Sequence, residues 1–307
     1  MMYNSISQLY NKYFNKETFE ILEFPFPYSS MMSINSDVEF TSWENQLYLI
    51  NLFNDYSIET GFSFWCFCDP KISWRLFEDN LTKSKEFEEA LPFLQNGTFD
   101  TIHSFGGVTD GKGSQFNRDS IKKALDILDK NNVFIRVYSN HGTVYDTQNI
   151  GGDWAQYQKG DVKGDPNYHL DLTLKYGVKF FWTDIDYDNF TPFFQLDDKC
   201  ENNLFNNQKG RNNQEIVRFK RFRGDLKYPP YIKNFSDQIN YVCSNQSSGY
   251  SVLYQHLGLD RNKSGEAFCA SRLNYDDVFH KTLSKLKYEQ DNKRILFTTT
   301  ERLLMHA

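Results

Sequence analysis

Thr98-Phe-Asp-Thr-Ile-His103, Asn117-Arg-Asp-Ser-Ile-Lys-Lys-Ala-Leu-Asp-Ile-Leu-Asp-Lys130 and Val133-Phe-Ile-Arg-Val-Tyr-Ser139 follow one another as strand, helix and strand. The middle segment carries Ile121, Ala124, Leu125 and Leu128 on one stripe, with Asn117 placed as its N-cap. The flanking runs are short and apolar, as buried strands are. Asp165-Pro166 opens another helix, because proline at the first helical position is preorganised and has no N–H to lose there. That helix runs to Gly177, a C′ glycine just ahead of the strand-like Val178–Thr183. Alternation of this kind across residues 98–183 predicts an α/β fold with parallel strands.

Working outward, Met31–Asn35, Gly61–Cys68, Ile239–Val242, Ser251–Tyr254 and Ile295–Thr298 read as further strands. Ser42–Asn54, with Trp43, Leu47 and Ile50 at near-helical spacing, reads as a helix, and Lys83–Glu89 as a solvated helix face. So many strands favour closure. The expected fold is a distorted parallel β/α barrel of seven or eight strands, TIM-like. No Pro/Ser-rich linker or internal repeat divides the chain, so residues 1–307 read as one domain. The Asp-, Asn- and Gln-rich stretch 184–213 is the expected long loop or insertion.

The 307 residues carry 34 Lys+Arg against 40 Asp+Glu, a formal net charge of −6. The chain lacks the basic field that a phosphate backbone requires, so nucleic acid is not an expected partner. In one basic cluster, Arg218, Lys220, Arg221 and Arg223, the alternation of Arg218 and Lys220 with Val217 and Phe219 reads as a strand with one solvated face. The alternative there is a site for an anionic group, such as a nucleotide diphosphate or an acidic sugar. Cys66, Cys68, Cys200, Cys243 and Cys269 show no paired spacing and read as free thiols of a reducing compartment. The N-terminus carries no secretion signal, and no run approaches the roughly 18 apolar residues of a membrane span. A cytoplasmic protein is expected. Aromatic residues reach 17%, which AT-rich codon usage and core packing explain, with sugar stacking as the alternative.

Polar residues gather at the ends of the predicted strands. Met31-Met-Ser-Ile-Asn-Ser-Asp37-Val-Glu39 places two carboxylates there. The runs ending at His103, His141 and His256 each place a histidine. In a parallel barrel all strand C-termini meet at one mouth. Histidine and carboxylate ligands converging at such a mouth suit a divalent metal, zinc by ligand type, with an open position for water. The ordinary reading of each histidine alone is a strand cap bonded to a loop carbonyl; recurrence in three separate units favours a shared site. No HExxH, P-loop or nucleophile-elbow signature competes with it.

Glu39 shares a strand face with Asp37, about 6–7 Å further along if the strand stays extended, and is expected to contact substrate. Gln148 and Asn149, in the long loop after His141, offer donors and acceptors for sugar hydroxyls, and Trp154 a stacking face. His169 and Trp182 complete the candidate substrate contacts. Asp100, an odd number of positions from His103, faces the other side of its strand and reads as support for a neighbouring segment.

Asp after the first strand, His after a middle strand and an apolar-Tyr-Gln-His near the last strand together resemble the polysaccharide deacetylase (NodB-homology) superfamily. Ser33-Ile-Asn-Ser-Asp37-Val-Glu39 stands where that superfamily has two adjacent Asp. Ile102-His103-Ser104 is similar to the start of its second motif, and Ser251-Val-Leu-Tyr-Gln-His256 to its final Leu-x-His motif. The likeness spans Met31 to Gly258. It departs at Gly106-Gly107-Val108, where a second histidine would fall, and His141 stands in for that ligand.

The resemblance implies a metal-dependent hydrolase that removes an acyl group from an amino sugar or sugar ester in surface-polysaccharide biosynthesis. Its substrate would be a sugar, nucleotide-linked or lipid-linked. Asp37, His103 and His141 would hold the metal in that family's manner, with Asp37 also catalytic and His256 the general acid. Two other classes stay open: a non-catalytic carbohydrate-binding relative, and a glycosidic-bond enzyme using Asp37 with Glu39 or Asp184.

Overall fold

The computed structural model describes residues 22–307 apart from 70–72, 80, 108–116, 143–145, 153–154, 184–186, 189–190, 198–201, 210, 212, 224–231, 246, 259, 262–266 and 269–276. One curled, mostly parallel sheet organises them. Its strands are β1 (Ser30–Ser36), β2 (Gly61–Phe64), β3 (Phe99–His103), β4 (Val137–Ser139), β5 (Phe180–Trp182) and β6 (Tyr187–Asp188). They continue as β7 (Phe205–Lys209), β8 (Glu215–Phe219), β9 (Arg221–Phe222), β10 (Gly249–Gln255) and β11 (Ile295–Phe297). The helices are α1 (Trp43–Asp55), α2 (Phe87–Gln95), α3 (Arg118–Lys130), α4 (Leu170–Tyr176), α5 (Ile232–Ser244), α6 (Asp277–Asp291) and α7 (Thr300–His306).

The strand order is β6-β9-β10-β1-β2-β3-β4-β5-β8-β7, with β11 also beside β1. Only β7 runs antiparallel to its neighbour. β1 is central: it pairs with β10 from Ser30↔Gly249 to Ser36↔Gln255, with β11 at Ser30–Met32 and with β2 at Asn35–Ser36. The run 215–222 reaches both halves of the order. Val217 and Arg218 pair with Phe180 and Phe181 of β5, and beyond Lys220, Phe222 pairs with Leu253 of β10.

Local sequence explains most element ends. Ser42 caps α1, its Oγ accepting from Asn45 N at 3.2 Å. Asn117 caps α3 by accepting from Asp119 N and Ser120 N. Gly177 ends α4 with φ 121°, a value that favours glycine. Three expectations fail. Ile239–Val242 belongs to α5, where Phe235, Ile239 and Val242 are buried at helical spacing, and a short apolar run does not by itself reveal its period. Pro166 stands in a turn, Tyr168 N donating to Asp165 O at 3.0 Å, and α4 starts only at Leu170. The basic strand is not solvated at Arg218 and Arg221, which are buried.

Part of the stretch 184–213 lies outside the described residues; the rest includes β6 and β7. Cys66 and Cys68 are buried free thiols and Cys243 is half-buried, whereas Cys200 and Cys269 lie outside the described residues. Among the described residues no helix is long and apolar enough to cross a membrane.

Much of the aromatic excess is core. Phe99 is ringed by Trp43, Trp74, Phe62, Phe64 and Phe93 at centroid distances of 5.0–6.4 Å, contacts worth roughly 0.5–1.5 kcal/mol each beyond burial. The layer between the sheet and helices α1 and α2 is therefore aromatic. Inside the curl the chemistry turns polar. Asn35 Nδ2 donates to Thr101 Oγ1 and Thr300 Oγ1, both at 3.1 Å, and Asn35 Oδ1 accepts from Arg221 Nη1 at 2.6 Å. Asp100 faces away from His103, as its parity predicts, and accepts from Glu301 N at the start of α7 at 2.9 Å.

Candidate metal centre

The site is built where β1, β3, β4 and β10 end. β1 stops at Ser36, and its end is stitched to that of β10: Asp37 N donates to Gln255 O at 2.8 Å and Leu257 N to Ser36 Oγ at 3.0 Å. The chain then turns. Phe40 takes a left-handed φ of 55°, and Ser104 and Phe105, directly after His103, take 58° and 57°. Such values cost a residue with a Cβ about 1–2 kcal/mol, and here they bring Glu39 and His103 to face each other. Glu39 accordingly does not continue along the strand as expected. One ligand atom each from Asp37, Glu39 and His256 lie within 4.8 Å of one another.

Glu39 is the hub. His103 Nε2 lies 2.9 Å and His141 Nε2 3.3 Å from its Oε1, and His256 Nε2 lies 3.4 Å from its Oε2. Trp65, fully buried, lies parallel to the His103 ring at 5.9 Å and meets His141 edge-on at 5.4 Å. His103 Nδ1, His256 Nδ1 and Trp65 Nε1 are buried with no hydrogen-bond partner among the described residues. Unsatisfied polar groups are costly and rare in folded interiors, and a cluster of them marks a place for an occupant.

Asp37 has a different partner. Arg221 Nη1 and Nη2 donate to its two oxygens, each at 3.0 Å. The guanidinium lies over Trp182 at 3.7 Å and Tyr254 at 4.1 Å. Two groups with metal-ligand spacing share Glu39: Glu39–His103–His141 and Asp37–Glu39–His256. The guanidinium already neutralises the second. The first is a Glu and two His, a donor set of catalytic zinc sites that leaves a position open. Glu39 therefore replaces Asp37 as the carboxylate that completes the histidine pair.

Charges agree with that assignment. Burial opposes ionisation of Glu39, but His103 and His256 beside it hold its carboxyl well below the ordinary range. Burial would depress His141, yet Asp146, and at longer range Glu39 and Asp37, lift it to about 9. Asp37 pairs with Arg221 and Asp146 with His141, which leaves Glu39 as the carboxylate set between the histidines.

The other candidates are placed differently. Gln148 is buried, its Nε2 donating to Ser104 O and Gly106 O, both at 3.0 Å. Asn149 is buried too, holding the backbone of His141 and the hydroxyl of Ser104. His169 is 0% exposed, with Nδ1 at 2.8 Å from Thr173 Oγ1 and Nε2 at 2.6 Å from Gln148 O. Burial pushes its pKa down to about 4, so it stays neutral. All three hold the loop through bonds within the protein. Trp182 is 2% exposed and packs under Arg221. Trp154 and Asp184 lie outside the described residues.

Sequence reasoning missed Trp65, Asp146 and the role of Arg221. Asp146 stands five positions after His141, a separation that was there to be read; the Arg221–Asp37 pair spans 184 positions and left no local trace.

No protein-family model matches the chain, and no curated protein matches it. What the site can do rests on its own geometry.

Proposed function

We propose that the protein is a metal-dependent hydrolase that removes an acyl group from an amino sugar or a sugar ester, a divergent relative of the polysaccharide deacetylases. The observation that carries this reading is the convergence of Glu39, His103 and His141 beside an arginine-held Asp37 and a fifth polar side chain, His256. These groups come from four separate strand ends, and a structural core has no need to collect them. The run 215–222, paired to β5 at its start and β10 at its end, supports the further reading of the curled sheet as a distorted, TIM-like barrel with its seam there.

The residues present fit a zinc ion: two imidazoles and one carboxylate, brought together by separate strand ends. A bound divalent cation supplies a more acidic water and polarisation of a carbonyl oxygen. The chain's own groups do the rest. Asp37, fixed in orientation by Arg221, takes the proton of the attacking water. His256, whose Nε2 lies 3.3 Å from Tyr254 OH, returns a proton to the leaving nitrogen or oxygen. Trp65 and Trp182 exclude bulk water from the reacting groups. A sugar linked to a nucleotide or lipid, processed in the cytoplasm on the way to a surface polysaccharide, is the substrate class this reading takes from the resemblance.

Glycosidic-bond cleavage by Asp37 and Glu39 has less support. It needs one carboxyl with a raised pKa to protonate the leaving oxygen, whereas Glu39 is held well below the ordinary range. A binding-only relative would not need the Arg221 clamp on Asp37.

The test is acyl release from a panel of N- and O-acetylated sugars and their nucleotide-linked forms. Zinc-loaded protein is expected to release acetate, and chelator-treated protein and His103→Ala to lose at least 100-fold while staying folded. Equal release by stripped and loaded protein, or none on any acylated sugar, would contradict the reading.

A further inference from the structure

His141 is held on two sides. Its Nδ1 meets the carboxylate of Asp146, which is 0% exposed, while its Nε2 lies 3.3 Å from Glu39 Oε1. In the neutral imidazole, an Nδ1 proton donated to a carboxylate leaves the lone pair on Nε2, the form that binds a cation. The backbone is fixed as well. Asn149 Oδ1 accepts from His141 N at 3.3 Å and its Nδ2 donates to the His141 carbonyl. One turn of loop away, Asn140 Nδ2 donates to Ile150 O at 2.6 Å and Ile150 N donates to Asn140 Oδ1 at 3.0 Å. These paired amide contacts join Asn140 and His141 to Asn149 and Ile150. Asp146 is thus carried into place by the loop itself, independently of any occupant of the site.

We infer that Asp146 is a positioning residue for the cation: through His141 Nδ1 it fixes the ring's tautomer and direction and thereby sets the affinity of the Glu39–His103–His141 group for a divalent metal. Asp146 lies outside both metal-spaced groups, so it acts through His141 rather than on the metal. Carboxylate partners of ligating histidines typically contribute about 10–100-fold in metal affinity. His103 has no such partner among the described residues, since its Nδ1 is unsatisfied and 4.0 Å from Asp37. The two histidines are therefore unequal, and His141 is the stronger donor.

This inference rests on the metal-dependent reading, and the experiment separates the two. The full chain is stripped with chelator and titrated with Zn²⁺ against a chromophoric competitor, and Co²⁺ is added to record its visible bands. Asp146→Asn is expected to weaken Zn²⁺ binding about 10–100-fold and to shift the Co²⁺ bands. A merely structural Asp146 would lower the unfolding temperature and leave the Co²⁺ bands where they were, overturning the inference. Should Asp146→Asn not fold, Asp146→Glu, which keeps the carboxylate, is expected to recover most of the affinity lost in Asp146→Ala; a folded Asp146→Glu without recovery overturns it too. Wild-type zinc binding matched within twofold by Asp146→Asn sinks the inference and spares the metal reading. No uptake of either cation by the wild type sinks both.

Discussion

Arg221 and Asp37 form a two-pronged ion pair, each Nη 3.0 Å from its own carboxylate oxygen, with the two side chains 0% and 2% exposed. The pair ties β9 to the loop after β1, elements far apart in sequence. Breaking such a pair by removing one partner leaves a buried charge uncompensated, which costs about 3–5 kcal/mol. Arg221→Met should therefore destabilise by about that amount in urea denaturation, and adding Asp37→Asn should recover part of it. If the double variant is no more stable than the single one, the pair is not what holds these elements.

Arg221 already holds Asp37 of the second metal-spaced group, which favours one cation per chain. Metal analysis of zinc-loaded protein should give a stoichiometry near one, falling on His103→Ala and on Glu39→Gln. Two tightly bound ions would mean that Asp37 leaves Arg221 to serve the second group, contrary to the geometry described.

Asp100 gives a pH signature remote from the metal. Burial pushes its carboxyl up to about 7 from an ordinary 3.8, against the hydrogen bonds from Glu301 and Thr101. The folded state holds this proton more tightly than the unfolded one. Its contribution is thus complete below about pH 4 and is lost as pH rises from there through about 7. About three pKa units correspond to roughly 4 kcal/mol at most. The stability of Asp100→Asn relative to wild type should rise across that window and level off above it. Denaturation curves at pH 4.5, 6 and 8 check this, and a difference independent of pH would refute it.

Gly160 marks how tightly the loop after His141 is closed. A Cβ there would collide with the Gln148 carbonyl and come within 2.8 Å of His169 Nε2. Gly160→Ala should cost about 1–3 kcal/mol by overpacking and weaken metal binding through the Asn149–His141 contacts. An unchanged melting temperature together with unchanged metal affinity would show that the loop yields.

How much of this was legible depended on the range of the interaction. The strand–helix–strand reading of residues 98–139 holds because each element carries its own periodicity and caps, Asn117 above all. His103, His141, His256 and the Asp37–Glu39 pair were found because parallel strands send their ends to one side. Ile239–Val242 was misread because four apolar-rich residues fit a strand or a helix equally well. Arg218 reads as solvated because its alternation with Val217 and Phe219 predicts a two-faced strand without saying which face is solvent, and it is buried. Gln148, Asn149 and His169 were taken for substrate contacts because the sequence shows polar groups but not whether the protein satisfies them itself.

The most direct test of the central claim is X-ray absorption at the zinc edge of the loaded protein and of its His103→Ala and His141→Ala variants. The account predicts two imidazole nitrogens at about 2.0–2.1 Å with oxygen completing the shell, and one imidazole fewer in each variant. A wild-type protein that takes up no zinc, or a shell unchanged by either substitution, would contradict it.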